Sequence, residues 1–219
     1  MMPSLPRPGQ ALVIAACLAL AGCATALDLA RGAPPRLYEL TPKSTFADAL
    51  PEVDARLSVE VPTATAGLNN ARIALRPTPT TLEYYARASW IDVVPVMVQN
   101  LVLESLDNAG RIDVIGREVV GVRADYALLT HVREFQAEYD DQGAPKIRVR
   151  LQARLVRLPR RTSLAATSEE FVVRASDTAL PAIVNAFDDA LGKALKRLVE
   201  WTVIQAAAAQ SGPGETQPM

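Results

Sequence analysis

The segment from Lys146 to Arg157 constrains the fold more than any other part of the chain, because apolar and polar side chains alternate along its whole length. A period of two is typical of a β-strand with one buried face and one solvated face. The apolar positions are Ile147, Val149, Leu151, Ala153 and Leu155, and the polar positions are Lys146, Arg148, Arg150, Gln152 and Arg154. A second strand is predicted over 124–139, and Asp140 to Gly143 between them is typical of a turn. We therefore predict a long β-hairpin with one face in solvent.

Shorter strands and two helices flank this hairpin in the sequence. Alternating or β-branched runs bounded by Pro, Gly or Asn predict strands at 36–41, 57–61, 72–75, 81–85, 111–115 and 169–174. Apolar residues at helical spacing predict an amphipathic helix over 93–108, with Asp92 as its N-cap and Gly110 beyond its end. A second helix is predicted to follow Asp177, with an apolar stripe of Ile183, Phe187, Leu191, Leu195 and Leu198.

The N-terminus is typical of an export signal. Residues 11–20 are apolar but too few to span a bilayer, and they lead into Leu20-Ala21-Gly22-Cys23. This tetrapeptide resembles the lipobox of bacterial lipoproteins, so we interpret residues 1–22 as a lipoprotein signal peptide and Cys23 as the acylated first residue. The alternative is an ordinary secretory signal cleaved near residues 24–26. Residues 23–35 are then the lipidated N-terminus and a flexible tether that reaches about 40 Å at most.

The composition of the chain excludes several kinds of chemistry. Cys17 lies in the signal and Cys23 is taken up by acylation, so no thiol is left for a disulfide, a metal or a nucleophile. His131 is the only histidine, and we expect it to be a hydrogen-bonded structural residue. The 23 basic and 24 acidic side chains leave no basic field for nucleic acid. We predict no enzyme activity, no metal and no cofactor beyond the diacylglycerol and N-acyl chain on Cys23.

A series of short motifs follows the lipobox in a fixed order. They are Tyr38-x-Leu40-x-Pro42, Leu57-x-Val59-x-Val61-Pro62, Arg72-Ile73, Tyr85-Ala86-Arg87-x-x-Trp90 and Ala124-Asp125-Tyr126. Their order and spacing resemble the ABC-type transport auxiliary lipoprotein family, whose members accompany MCE-domain proteins and ABC transporters in Gram-negative envelopes. The resemblance covers about residues 36–205, and 206–219 are interpreted as a disordered tail. It implies an α/β fold: a mixed β-sheet with two main amphipathic helices packed on it, similar to the anticodon-binding-domain-like architecture.

The resemblance also implies a function and partners. It implies a part in moving phospholipid or a related lipid between the two envelope membranes, docking or capping the transport assembly at the outer membrane. The implied partners are an MCE-domain protein and an ABC transporter permease complex, with a homo-oligomer left open. Two alternatives remain: a carrier that holds phospholipid in a cavity, and a structural envelope lipoprotein. Ala24 after the cysteine favours outer-membrane sorting, with the periplasmic face of the inner membrane as the alternative.

Two groups of side chains are candidate contacts for a partner or a lipid headgroup. The first is an aromatic group, Tyr84, Tyr85 and Trp90. Such rings are enriched at interfaces, but core packing is the more common arrangement, and adjacent tyrosines on a strand must face opposite sides.

The second group is a basic stripe, Lys146, Arg148, Arg150 and Arg154. One interpretation is that this row binds phosphate headgroups or an acidic partner. The alternative is a solvated face balanced by cross-strand pairs with Glu134, Gln136, Glu138 and Asp140.

Overall fold

The computed structural model describes residues 34–117, 123–140 and 143–211. The predicted signal peptide, Cys23 and most of the predicted tether lie outside the described residues, as do residues 212–219. Within the described ranges, no helix has the length and apolar character needed to cross a membrane.

Nine strands and two helices make up the described part of the chain. In chain order they are β1 (Arg36–Tyr38), β2 (Val53–Val59), β3 (Thr63–Ala64), β4 (Arg72–Thr78), β5 (Thr81–Trp90), α1 (Val94–Ala109), β6 (Ile112–Gly116), β7 (Tyr126–Glu138), β8 (Lys146–Arg157), β9 (Thr162–Arg174) and α2 (Leu180–Ser211).

Strand β7 is the centre of one mixed sheet. Along one of its edges lie three strands in succession, all parallel to it: β2 beside Tyr126 to Leu128, β3 beside His131 and Val132, and β4 beside Ala137 and Glu138. Its other edge pairs antiparallel with β8, which pairs antiparallel with β9. The sheet is completed by β6 parallel to β2, β5 antiparallel to β4, and β1 parallel to β5. The prediction of a mixed sheet and a long hairpin is confirmed.

The two helices pack on one face of this sheet and on each other. The apolar side of β8 is fully or almost fully buried, and Phe187 and Leu191 of α2 are buried with it. The opposite side of β8 is half-buried or exposed from Lys146 to Arg154. We call this second side the open face. The α/β class with two helices on a mixed sheet is therefore confirmed, and the core lies between α1, α2 and the sheet.

Helix α1 begins without the predicted side-chain cap. Its N-cap is Val93, and Asp92 accepts a hydrogen bond from the N–H of Val93 at 2.7 Å instead of from the first turn of the helix. The predicted end is correct. Gly110 has a φ of 61°, a left-handed conformation that glycine adopts easily, and its N–H reaches the carbonyls of Leu106 and Asp107.

Helix α2 is longer than predicted at its C-terminal end. We predicted a disordered tail from residue 206, but the helix continues to Ser211 and Ala206 is buried. Two contacts hold this last part against the sheet: Arg157 donates to the carbonyl of Ala209 at 2.7 Å, and Gln210 donates to the carbonyl of Asp54. At the other end, Asp177 accepts from the N–H of Ala179 before the helix starts at Leu180, so it orders the preceding turn and does not cap the helix.

Candidate functional site

The basic stripe lies on the open face and forms a network of ion pairs across three strands. Arg148 on β8 donates from Nε to both carboxylate oxygens of Glu138 on β7, at 2.9 and 3.1 Å, and from its Nη1 to Glu170 on β9. Arg150 donates to Glu134 at 2.8 Å and lies 3.7 Å from Glu170. We call Glu134, Glu138, Arg148, Arg150 and Glu170 the ion-pair network.

Further side chains extend this network at both ends. Lys146 contacts Asp140 at 3.0 Å, and Arg76 on β4 lies 3.6 Å from Glu134. The side-chain amide of Gln136 is fully buried and donates to Glu134 at 2.8 Å and to Glu138 at 3.0 Å. Lys146, Arg148 and Arg150 therefore form cross-strand ion pairs with β7 and the residue after it. This is the alternative that the sequence analysis gave to a headgroup-binding row.

Glu138 shows the electrostatic effect of this network. Burial opposes ionisation of its carboxyl group, but hydrogen bonds from Arg148 and Gln136 and the positive charges of Arg148 and Arg76 outweigh burial and lower its pKa. The same Glu138 carboxylate, together with Glu170, raises the pKa of Arg148 against the opposing effect of burial. Arg148 and Arg150 are already paired with carboxylates, which leaves them little capacity for another anion.

Arg154 differs from the rest of the stripe. It is exposed near the far end of β8, and among the residues that the structure describes it has no carboxylate partner. It lines a shallow groove of about 450 Å³ together with Thr63, His131 and Gln152. Of the four predicted basic contacts, Arg154 is the one whose charge is available to a partner or a headgroup.

The structure places Trp90 in the core and not at an interface. Its side chain is 1% exposed and meets Phe135 and Phe187 edge-on, with ring centroids 5.8 and 5.2 Å away. Edge-to-face packing of this kind stabilises aromatic clusters. The predicted contact role of Trp90 is therefore corrected, because the folded domain presents almost none of its surface.

Tyr84 and Tyr85 are both half-buried and have different partners, as the alternation of a strand requires. The hydroxyl of Tyr84 donates to the carbonyl of Gly67 at 3.0 Å, and the guanidinium of Arg72 lies 3.5 Å from the centroid of its ring. The hydroxyl of Tyr85 lies 2.9 Å from that of Tyr139, and burial with this hydrogen bond raises the pKa of Tyr85. Both rings are held by contacts with other segments of the chain and keep only part of their surface in solvent.

His131 is a hydrogen-bonded strand residue. Its Nδ1 lies 2.8 Å from the hydroxyl of Thr63 on the neighbouring strand β3. Across the described ranges, no group of three or more His, Cys, Asp or Glu side chains could hold a metal ion.

Sequence reasoning missed Arg76 and Glu170 as members of the charged surface. Glu170 lies on the open face of β9. Its partners Arg148 and Arg150 lie on β8, so the sequence around Glu170 does not reveal these ion pairs. The predicted strand 72–75 ends before Arg76, whereas β4 continues through it to Thr78. Arg76 belongs to the strand because it pairs with Glu138 on β7, a contact between distant parts of the chain that the local sequence does not show.

Comparison with known proteins identifies the family. The family described as ABC-type transport auxiliary lipoprotein component matches residues 38–199. An uncharacterized protein of Bradyrhizobium diazoefficiens is 30% identical over 179 residues, which are 79% of this chain and 47% of that protein. The chain therefore spans about half the length of this curated relative.

A solved structure supports the same grouping. The crystal structure of protein XCC0632 from Xanthomonas campestris is 29% identical, covers 80% of this chain and 98% of its own, and has a TM-score of 0.76. Another crystal structure of an uncharacterized protein, at 12% identity and a TM-score of 0.56, shares the fold alone.

The chain belongs to the ABC-type transport auxiliary lipoprotein component family. This is a family of auxiliary lipoproteins of ABC-type transport, which implies a membrane-anchored periplasmic location. The predictions of a lipoprotein and of an auxiliary component of ABC-type transport are confirmed at that level.

Proposed function

We propose that this chain is anchored by acylated Cys23 to the periplasmic face of the outer membrane, where it docks or caps an MCE/ABC-type lipid transport assembly. Family membership over residues 38–199 is the observation that carries the proposal. The lipobox-like Leu20-Ala21-Gly22-Cys23 supports acylation at Cys23. Ala24 after it supports sorting to the outer membrane. A tether of about a dozen residues keeps the domain within about 40 Å of that membrane.

The packing of the domain favours docking over carrying. The face of the sheet that meets the helices is filled by buried side chains of β7, β8, α1 and α2. Three pockets at the surface of the described residues have volumes of about 320, 530 and 450 Å³. Small-molecule sites span about 300–1,000 Å³. Pockets of this size do not enclose both acyl chains and the headgroup of a phospholipid.

The proposed contact surface is the open face around Arg154. The ion-pair network holds Arg148 and Arg150 in place and leaves the face nearly neutral there, whereas Arg154 adds an uncompensated charge beside the groove. We assign Arg154 to contact with an acidic partner or a headgroup, and Lys146, Arg148, Arg150, Tyr84 and Tyr85 to shaping the surface around it. An MCE-domain protein and an ABC permease are the proposed partners, and a homo-oligomer stays a prediction.

Native mass spectrometry separates docking from carrying. The chain is purified from envelopes in a mild detergent, and the mass of each protein ion is compared with the mass of the acylated polypeptide. Docking predicts no two-chain phospholipid bound at a fixed ratio. A carrier predicts one such phospholipid per chain, and that result would contradict the proposal.

The anchor is tested by the same mass measurement on a Cys23→Ala variant. Acylation predicts a mature chain that begins at Cys23 and carries three acyl chains, and it predicts that the variant is lost from the membrane fraction. An unchanged mature mass and unchanged membrane retention in the variant would contradict it.

A further inference from the structure

A second pocket lies on the open face, where β2 and β6 run side by side. The strand register pairs Arg56 with Val114 and Ser58 with Gly116. Leu57, between the two pairs, belongs to the buried core, so both pairs point away from the core. Together with the turn after β8, they line a pocket of about 320 Å³.

The space in this pocket lies above Gly116. A Cβ added to Gly116 would meet nothing within 4 Å, and its backbone is not in the left-handed region. The glycine is therefore not required by the backbone conformation, and a side chain here would occupy the volume of the pocket. Gly116 keeps this part of the open face accessible.

Ser58 gives the pocket an unpaired polar group. It is only 7% exposed, and its hydroxyl has no hydrogen-bond partner among the described parts of the chain. Buried hydroxyls are almost always hydrogen-bonded, because burial without a partner is unfavourable. Since Ser58 lines the pocket, a ligand in the pocket would complete its hydrogen bonding.

The charge at the edge of the pocket favours an anion. Arg56, Arg117 and Arg161 line it, against one acid, Glu60. Arg161 is paired with Glu60 at 2.9 Å, and Arg56 is paired with Asp125 just behind the pocket at 3.3 Å.

Arg117 has no such compensation. It hydrogen-bonds the side-chain oxygen of Asn100, a neutral group, and has no carboxylate partner within the described ranges. Its positive charge is therefore available to a bound anion.

The rest of the pocket is apolar. Val114 is 42% exposed, a large fraction for a branched aliphatic side chain, and it lies in the pocket with Leu158 of the turn after β8. A ligand with an apolar segment would cover Val114 and gain from removing that surface from water. An arginine-lined pocket with an apolar wall matches a molecule that has both an anionic group and a hydrocarbon part.

We infer that this pocket binds a single-chain anionic amphiphile, with its carboxylate or phosphate monoester at Arg117 and Ser58 and its alkyl chain on Val114 and Leu158. The volume is near the lower limit for small-molecule sites, about 300 Å³, which accommodates one chain and not two. This inference does not depend on the docking role, because the pocket and its ligand lie within one chain.

The test is isothermal titration calorimetry on residues 24–219, which lack Cys23 and its acyl groups. This chain keeps every residue of the described core, which lies between Leu40 and Ala206. Four probes are compared below their critical micelle concentrations: dodecyl phosphate, dodecanoate, inorganic phosphate and dodecyl maltoside. We expect one dodecyl phosphate or dodecanoate per chain, at least tenfold tighter than inorganic phosphate or the maltoside. Equal affinity for inorganic phosphate would mean a plain anion site, and equal affinity for the maltoside a plain apolar site; either would overturn the inference.

Two variants locate the site. Ser58→Ala removes one hydrogen bond, which corresponds to roughly two- to twelvefold weaker binding, while the melting temperature stays level or rises because an unpaired hydroxyl is removed. Gly116→Val fills the pocket and should abolish binding while the chain stays folded. Arg133→Glu, an exposed charge reversal on β7, is the matched control and should bind as the unchanged chain does. Unchanged affinity in a folded Gly116→Val variant would overturn the inference and leave the docking proposal untouched.

Discussion

Arg148 holds the carboxylate of Glu138 from a single nitrogen, with Nε 2.9 and 3.1 Å from its two oxygens. This pair joins β8 to β7 on the face of the sheet that the helices leave open. Because the pKa of Glu138 is lowered in the folded chain, the pair links stability to pH.

The first prediction concerns acid stability. The contribution of Glu138 is fully present above its unfolded pKa of about 4.5 and is lost as the pH falls through its lower folded pKa. Urea unfolding between pH 7 and pH 3 should therefore show a steeper loss of stability for the unchanged chain than for Glu138→Gln. Glu83→Gln, at an exposed position without an ion pair in the described residues, is the control and should follow the unchanged chain. Identical pH profiles for all three chains would rule this linkage out.

The second prediction concerns Gln136. Its buried amide accepts from the N–H of Phe135 at 2.8 Å and donates to Glu134 and Glu138. Gln136→Leu should lower the free energy of unfolding by about 2 kcal/mol, because it leaves a buried N–H without an acceptor. The matched control is Gln152→Leu at an exposed position of β8, where about 0.5 kcal/mol or less is expected. Denaturant unfolding at pH 7 measures both, and equal effects would mean that Gln136 has no special structural role.

The third prediction concerns the aromatic cluster. Trp90→Ala should cost about 3–5 kcal/mol of unfolding free energy, since it opens a cavity beside Phe135 and Phe187. Its neighbour Ile91 is 54% exposed, and Ile91→Ala should cost about 0.5 kcal/mol. If the Trp90→Ala chain had the same melting temperature as the unchanged protein, Trp90 would not be a core residue and would again be a candidate surface contact.

The alternation of apolar and polar residues predicted a strand correctly where one of its faces is buried along its whole length. The bounds of β8 match because every second residue from Ile147 to Leu155 is buried. The first half of β9 was missed, because residues 162–168 are small or polar except for Leu164 and alternate weakly. It is a strand because it pairs with β8 along its length, with one register shift between Leu155 and Val156.

The candidate site was less predictable because it depends on contacts between distant parts of the chain. Trp90 is buried by Phe135 and Phe187, which no local pattern around residue 90 reveals. Arg154 is exposed and lacks a carboxylate opposite it, because Leu129 is its partner on β7. The pocket at Ser58 and Gly116 needs β2, β6 and the turn after β8 together.

The fourth prediction concerns the end of α2. The sequence analysis predicts a disordered tail after Gln205, but this segment is rich in alanine, which has the highest helix propensity, and Ala206 is buried. A chain that ends at Gln205 loses that burial and the contacts of Ala209 and Gln210, which should lower unfolding free energy by about 2–3 kcal/mol. A chain that ends at Ser211 is the control. Equal thermal midpoints for the two truncated chains would show that the last turns of α2 do not stabilise the domain.

Cross-linking in intact cells tests the docking role most directly. The acylated chain is captured after brief cross-linking, and the co-purifying proteins are quantified against a Cys23→Ala chain expressed at the same level. We predict enrichment of an MCE-domain protein and an ABC permease, reduced several-fold by Arg154→Glu without a change in melting temperature. Enrichment of neither protein above the Cys23→Ala control would contradict the docking account.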